Sequence, residues 1–483
     1  MSNANSQDNV AEVNASYAAT AAIPNRHSRE SGNPELPVNW TISAFTEIYD
    51  IQGGTQPPKS EFIYEPEDGY IQLLQIRDFG RKPVPTYVPL SKKLKTCEKT
   101  DLLIGRYGAS LGRICTGMTG AYNVALAKVI APEKMYRSYT RRYLESHIFQ
   151  NELALLSRSA QNGFNKEDLK GFNVPLPPLA EQKIIADKLD ELLAQVDTLK
   201  ARLDAIPAIL KRFRQSVLAA AVSGKLTEEW RVQSNNPPEF DVEKLGNLIT
   251  EMRNGLSPKP NEKRSGYPIL RISSVRSFIV DQDDIRHLEV NEDNRKRYSL
   301  ITDDLLFTRY NGSADFVGVC GRINTLLHET LLYPDKLIRV RTDPKKILPG
   351  YLEIFSASHL ARTYILSLIK STSGQKGISG KDLKEMEITL PSTEEQTEIV
   401  HRVNHLFTHA DQIEQQVKNA QARVNQLTQA ILAKAFKGEL TEQWRKDNPE
   451  LISGDNSAGA LLARIKAERA AAKPAKKTRE KAR

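Results

Sequence analysis

Two stretches of the chain carry apolar residues at alternating four- and three-residue spacing. The first runs Ile185, Leu189, Leu192, Val196, Leu199, Leu203, Ile206, Leu210, Phe213 and Val217, and the second Ile399, Val403, Leu406, Ala410, Ile413, Val417, Ala420, Val424, Leu427 and Ile431. That spacing is a heptad seam, and it predicts two long amphipathic helices, each with one stripe to bury. The ten positions correspond pair by pair at a constant offset of 214 residues, which makes the second helix the natural cover for the first. About 40 residues at 1.5 Å rise give each helix a length of about 60 Å. Ser392 followed by Glu395 forms a capping box at the start of the second helix, Pro178 and Glu181 stand at the same place in the first, and Gly224 and Gly438 end them. Pro207, opposite Gln421, predicts a kink or break near Ile206 in the first helix only.

The offset is a duplication. Residues 176–231 (LPPLAEQKII to GKLTEEWR) and 390–445 (LPSTEEQTEIV to GELTEQWR) share about 18 identities over 56 positions, and a shared period of this kind marks a repeated structural unit. Upstream, Gly163 and Asp168-Leu169-Lys170 fall opposite Gly377 and Asp382-Leu383-Lys384. Between the helical regions the pattern changes to short apolar runs separated by Gly- and Pro-rich turns. Tyr70 to Ile76, Asp101 to Ile104 and Val124 to Ile130 are expected strands, with a helix over Tyr139 to Leu156. The same order returns as Ile269 to Ile272, Asp304 to Phe307 and Lys336 to Val340, with a helix over Leu348 to Ile369, and DLLIGRYGASLGR at 101–113 parallels DLLFTRYNGSADFVG at 304–318. The expected architecture is α/β: two tandem domains separated by two long helices packed as an antiparallel coiled coil. The boundaries are a disordered N-terminal segment at 1–36, domain 1 at 37–175, a helical region at 176–231, a linker at 232–240, domain 2 at 241–388, a second helical region at 389–445, and a C-terminal helix with a basic tail at 446–483.

Composition narrows the function class. With 40% hydrophobic and 26% charged residues the chain has the balance of a globular protein, and no apolar run approaches the roughly 20 residues of a membrane span. The first 36 residues do not read as a secretory signal, which points to the cytoplasm. Cys97, Cys115 and Cys320 form no CxxC pair and read as core residues. Of the net charge of +9, residues 461–483 carry +7, so the excess of +4 in domain 1 and +3 in domain 2 permits nucleic-acid binding without proving it. The tail is expected to be a short amphipathic helix and a basic arm, suited to a phosphate grip or to contact with a partner.

The helical segments LPPLAEQKIIADKLDELLAQVDTLKARL, IPAILKRFRQ and GKLTEEWR resemble those of the specificity subunits of type I restriction-modification enzymes, in particular the enterobacterial type IA group. The resemblance covers nearly all of residues 37–470. It implies two target recognition domains that each read half of a split, asymmetric site in double-stranded DNA, and long helices that space them and dock two methyltransferase subunits. It further implies restriction/translocase subunits in the full complex, with S-adenosylmethionine, ATP and magnesium acting on partners and no catalysis on this chain. The competing expectations are a stand-alone DNA methyltransferase or nuclease and a coiled-coil protein scaffold.

Base reading needs forked or amide side chains on loops, because arginine pairs guanine and Asn or Gln pairs adenine bidentately. Arg77, Arg106, Arg113, Gln161 and Lys166 meet that description in domain 1, and Arg271, Arg276, Arg309, Asn311, Gln375 and Lys376 in domain 2. Arg106-Tyr107 and Arg309-Tyr310 recur in both copies, which also fits a shared structural role in a turn. Catalytic patterns are absent or incomplete. Asn236-Pro237-Pro238-Glu239 lacks the terminal aromatic residue of an amino-methyltransferase motif, and the DFVGVCG run at 315–321 lacks the second glycine of a cofactor loop. Asp335, Asp343 and Lys345 are too loose a set for a nuclease metal site. His401, His405 and His409 lie four apart on one helical face, but the first copy has Asp187, Glu191 and Gln195 there, so they read as a polar face and no metal is expected.

Overall fold

The computed structural model describes residues 36–80, 82–157, 163–234, 240–261, 264–372 and 375–471. They form two compact units, one of the residues up to Thr198 together with those from Val424, the other Leu199–Arg423. Among the described residues no helix is long and apolar enough to cross a membrane.

In the first unit the strands that set the frame are β1 (Thr41–Ala44), β2 (Asp50–Gly53), β3 (Leu102–Gly105), β4 (Ile114–Cys115), β5 (Leu126–Ile130) and β6 (Asn173–Leu176). An antiparallel sheet runs β2-β5-β3-β4, and all four residues of β3 are buried, as expected of a strand covered on both faces. β1 pairs antiparallel with β6, Thr41 opposite Leu176, so the two ends of the domain close on one another. Helices α1 (Arg137–Glu145) and α2 (His147–Ser157) pack Tyr139, Tyr143, Leu144, Phe149 and Leu153 into the core, and α3 (Leu179–Val222) adds Ile185, Leu189 and Leu193.

The second unit repeats this plan. β7 (Asp241–Lys244) pairs with β12 (Glu387–Leu390), and β8 (Ile249–Asn254), β9 (Leu305–Thr308), β10 (Cys320–Arg322) and β11 (Leu337–Thr342) form a sheet in the order β8-β11-β9-β10. Helices α4 (Pro349–Ala357) and α5 (His359–Leu368) follow, then α6 (Thr393–Phe436). The single helix expected in each domain is thus two. The break falls at Ser146 and at Ser358, both extended, and the Ser358 hydroxyl caps the new helix by accepting from the Ala361 amide. A serine beside a histidine stands at both breaks, a start signal inside an otherwise continuous apolar pattern.

Both long helices have 44 residues. In the second unit Arg214 meets Asp411 at 2.7 Å and Glu414 at 3.1 Å, and Gln421 donates to Asp204 at 2.7 Å. Contacts that climb one helix as they descend the other define antiparallel packing. Val196, Leu210, Val217, Ile399, Val403, Ala410 and Val417 are buried, while Leu192, Leu203, Leu406 and Val424 are partly so. Leu199, Phe213, Ile413 and Leu427 depart from the seam expectation, since each is 39–46% exposed and none belongs to a domain core. A stripe that faces one other helix is narrower than one that faces a core.

Pro207 does not break α3, which runs from Leu179 through to Val222. The proline is exposed, so water can serve the carbonyl one turn earlier that its missing N–H leaves without a donor. The C-terminal helix α7 (Ala458–Ala471) belongs to the first unit, where it buries Leu461 and Ile465. Lys466 pairs with Glu47 at 3.0 Å, and Arg469 donates to the Ile48 and Thr46 carbonyls at 2.9 and 3.2 Å. The basic side chains at this end of the helix thus bond their own domain. The rest of the tail lies outside the described residues.

A proline inside a helix costs about 3 kcal/mol relative to alanine. Replacing Pro207 by Gln, the residue at the equivalent place in α6, is expected to raise the apparent melting temperature of the purified chain in a thermal scan; an unchanged or lower value would show that the ring is needed.

Candidate nucleic-acid interface

In each domain two loops meet. In the first domain residues 75–80 form a tight turn after the strand Tyr70–Leu74, held by the Asp78 carboxylate on the Gln75 amide at 2.8 Å. Residues 106–113 follow β3. Arg113 joins the two, donating to the Ile76 and Phe79 carbonyls, and Arg77 at the tip of the turn donates to the Thr86 hydroxyl at 3.0 Å with its side chain 47% exposed. Arg106 points the other way. Its Nε and Nη2 both donate to the Phe164 carbonyl, at 3.1 and 3.0 Å, and its guanidinium lies 5.2 Å from the Tyr107 ring centre. Lys166 pairs with Asp50 at 2.7 Å. Gln161 lies outside the described residues.

The second domain places its counterparts alike. After the strand Tyr267–Leu270 comes a turn at Ile272–Ser274 and the hairpin Val275–Arg276 with Ile279–Val280. Residues 309–318 follow β9. The two loops meet where the Arg276 guanidinium covers the Phe316 ring at 4.8 Å. Arg271 pairs with Asp284 at 3.4 Å and remains 43% exposed. Asn311 accepts from the Ser313 amide at 3.1 Å, and Tyr310–Asn311 pairs with Lys376–Gly377 of a three-stranded sheet. Gln375 lies in that sheet, its side chain outside the described residues. Arg309 stacks 4.7 Å over Tyr310, and its buried Nε has no hydrogen-bond partner among the described residues.

The tyrosine that follows each of these arginines is a repeated fastening. A Cβ on Gly163 would fall 2.4 Å from the Tyr107 ring, and one on Gly377 2.3 Å from the Tyr310 ring. Each tyrosine seats on a glycine at the far end of its domain, and Arg106 locks the first such seat. Geometry separates Arg106, engaged by a backbone carbonyl and an aromatic ring, from the exposed Arg77, Arg113 and Arg271, of which Arg113 also bonds backbone carbonyls.

A scan against family models matches residues 37–208 and 237–421 to the type I restriction modification DNA specificity domain. The chain is 48% identical over 465 residues to the specificity subunit of the type I restriction enzyme EcoKI of Escherichia coli strain K12, covering 92% of this chain and 99% of that protein. It is 37% identical over 465 residues to the StySPI specificity subunit of Salmonella potsdam, covering 93% and 99%. The chain belongs to the type I restriction-modification specificity family. Its fold matches a chain from a structure of type I restriction-modification complex assembly (TM-score 0.59, 18% identity, covering 84% of this chain and 99% of that one) and the HsdS subunit from Thermoanaerobacter tengcongensis (TM-score 0.52, 17% identity, covering 84% and 99%).

Two buried carboxylates of the specificity chain, which the sequence pattern assigned only to helix capping, bond across the repeats. Glu181, fully buried at the start of α3, accepts from the Trp40 indole at 2.8 Å, the Thr441 hydroxyl at 2.6 Å and Arg445 at 2.6 Å. Glu395, at the start of α6, accepts from Thr227 at 2.6 Å and from Arg231. The Ser392 hydroxyl accepts from the Glu395 amide at 3.2 Å, and the Glu395 carboxylate also bonds the end of the other repeat. The neighbouring glutamines tie each helix to its own domain. Gln182 accepts from the Tyr136 amide at 3.1 Å, and Gln396 from the Leu348 amide at 2.7 Å. The recurrence of Glu-Gln and of Leu-Thr-Glu-x-Trp-Arg in both repeats was the signal for these contacts.

Arg106→Ala is expected to lower thermal stability, with loss of affinity for specific and nonspecific duplexes in equal proportion. A selective loss of specific binding, measured by titration against both duplexes, would assign Arg106 to base reading instead.

Proposed function

We propose that this chain reads a two-part, asymmetric site in double-stranded DNA, one half with each recognition domain, as the non-catalytic subunit of a complex in which partners carry the chemistry. The observation that carries this reading is a scaffold built twice with unlike loops. The sheet order, the tyrosine seat and the Glu-Gln joint recur, whereas the turn that bears Arg77 in one domain is followed in the other by an added hairpin bearing Arg276. A duplicated domain that kept its frame and changed its exposed loops suits two different half-sites. Arg77, Arg271, Arg276, Arg309, Asn311, Gln375 and Lys376 are the side chains we assign to DNA, with Gln161, which stands 214 residues before Gln375 in the sequence. Arg106, Arg113 and Lys166 support the fold.

Two methyltransferase subunits would bind S-adenosylmethionine, and restriction/translocase subunits would use ATP and magnesium, all in the cytoplasm. The uncovered apolar side chains Leu199, Ile209, Phe213 and Ile413 of the second unit offer a surface for such a partner to cover. The test is selection from random duplexes with the chain assembled with its methyltransferase. Enrichment of a two-part asymmetric motif, with no methyl transfer by the chain alone, is the expected result. Enrichment of no motif, or DNA methylation by the isolated chain, would refute it.

A further inference from the structure

The loop that follows the central strand in each domain is held from beneath by one helix side chain. In the first domain Gln150 of α2 donates to the Gly112 carbonyl at 2.9 Å. In the second, Arg362 of α5 donates to the Val317 and Asp315 carbonyls at 2.8 and 3.1 Å. Each is the third residue after the histidine that begins its helix, so the two occupy equivalent places. The fit between loop and helix is tight in both. A Cβ on Gly112 (φ +78°) would lie 2.3 Å from the Gln150 amide oxygen, and one on Gly318 (φ +66°) 2.6 Å from Ile365.

Arg362 makes no ion pair among the described residues, and burial holds its pKa below the usual arginine range. A half-buried guanidinium whose burial is only partly offset by the nearby Asp315 carboxylate is costly to keep unless its donors are used. Here the donors go to the carbonyls of a single loop. The tops of the two loops differ: Gly108 and Ala109 are exposed in the first domain, and Gly312, Asp315 and Phe316 in the second. A fixed underside beneath divergent tips is what a preorganised reading loop requires.

Building on the two-part recognition proposed above, we infer that Gln150 and Arg362 are positioning residues for base recognition, Arg362 fixing the loop that bears Asn311, and Gln150 fixing, through Gly112 and the neighbouring Arg113, the turn that bears Arg77. Discrimination at one half can then be degraded from a residue beneath the loop while the other half is untouched.

The test is selection from random duplexes with the complete complex carrying Arg362→Ala, Arg362→Gln or Gln150→Ala. Arg362→Gln installs the first domain's residue type and guards against loss of the fold in the alanine variant. Arg362→Ala is expected to cut discrimination about tenfold at one half-site, within the range of a single mismatch. The other half-site and the salt dependence of affinity should be unchanged, because the phosphate contacts remain. Gln150→Ala should act on the opposite half. Equal losses at both halves, or a lower melting temperature with both preferences intact, would reduce these residues to structural supports and overturn the inference. A wild-type complex that enriches no two-part motif would instead bring down the recognition reading, and this inference with it.

Discussion

At the start of each long helix a carboxylate shut off from water is held by a hydroxyl and a guanidinium that follow the end of the other helix. In the first unit Glu181 takes Thr441 and Arg445, and in the second Glu395 takes Thr227 and Arg231. An isolated buried carboxylate is strongly disfavoured, so neither helix can begin where it does unless the segment that ends the other is in place. Heptad packing alone leaves register and orientation weakly specified. A buried, directional charge contact at each end allows only the antiparallel arrangement.

The residue next to each clasp passes this constraint to a domain. Gln182 and Gln396 are completely buried, and each bonds the backbone at the entry to one helix of its own domain, α1 or α4. From that helix Tyr139 and Tyr351 each donate to a carbonyl of the strand before the long helix, Pro175 and Thr389, both at 2.6 Å. The frame of the domain, its closing strand and the long helix are thus joined by buried hydrogen bonds that recur in both units. Variation is left to the loops at the ends of the central strands, and function on a rigid scaffold is commonly concentrated in such loops.

The long helices and the duplication were legible because a heptad seam and a constant offset are properties of residue order. The strands flanked by turn residues were legible for the same reason. Three features were not. The breaks at Ser146 and Ser358 lie inside continuous apolar patterns, and only a paired serine marks them. Glu181 and Glu395 occupy positions where an exposed capping acid is the ordinary reading, and nothing local reveals a partner some 160 to 260 residues away. Among the candidate DNA contacts, side-chain type could not separate Arg106, engaged by the Phe164 carbonyl, from Arg77, which faces solvent. That difference depends on tertiary partners.

The clasp is tested most directly by a double-mutant cycle on Glu181 and Arg445 in the full chain, read by denaturant unfolding of the first unit. Breaking a buried charge pair from one side costs about 3–5 kcal/mol. Glu181→Ala and Arg445→Ala should each approach that loss, and the double variant should lose little more than either alone. Strictly additive losses, or a Glu181→Ala chain as stable as the parent, would contradict the account.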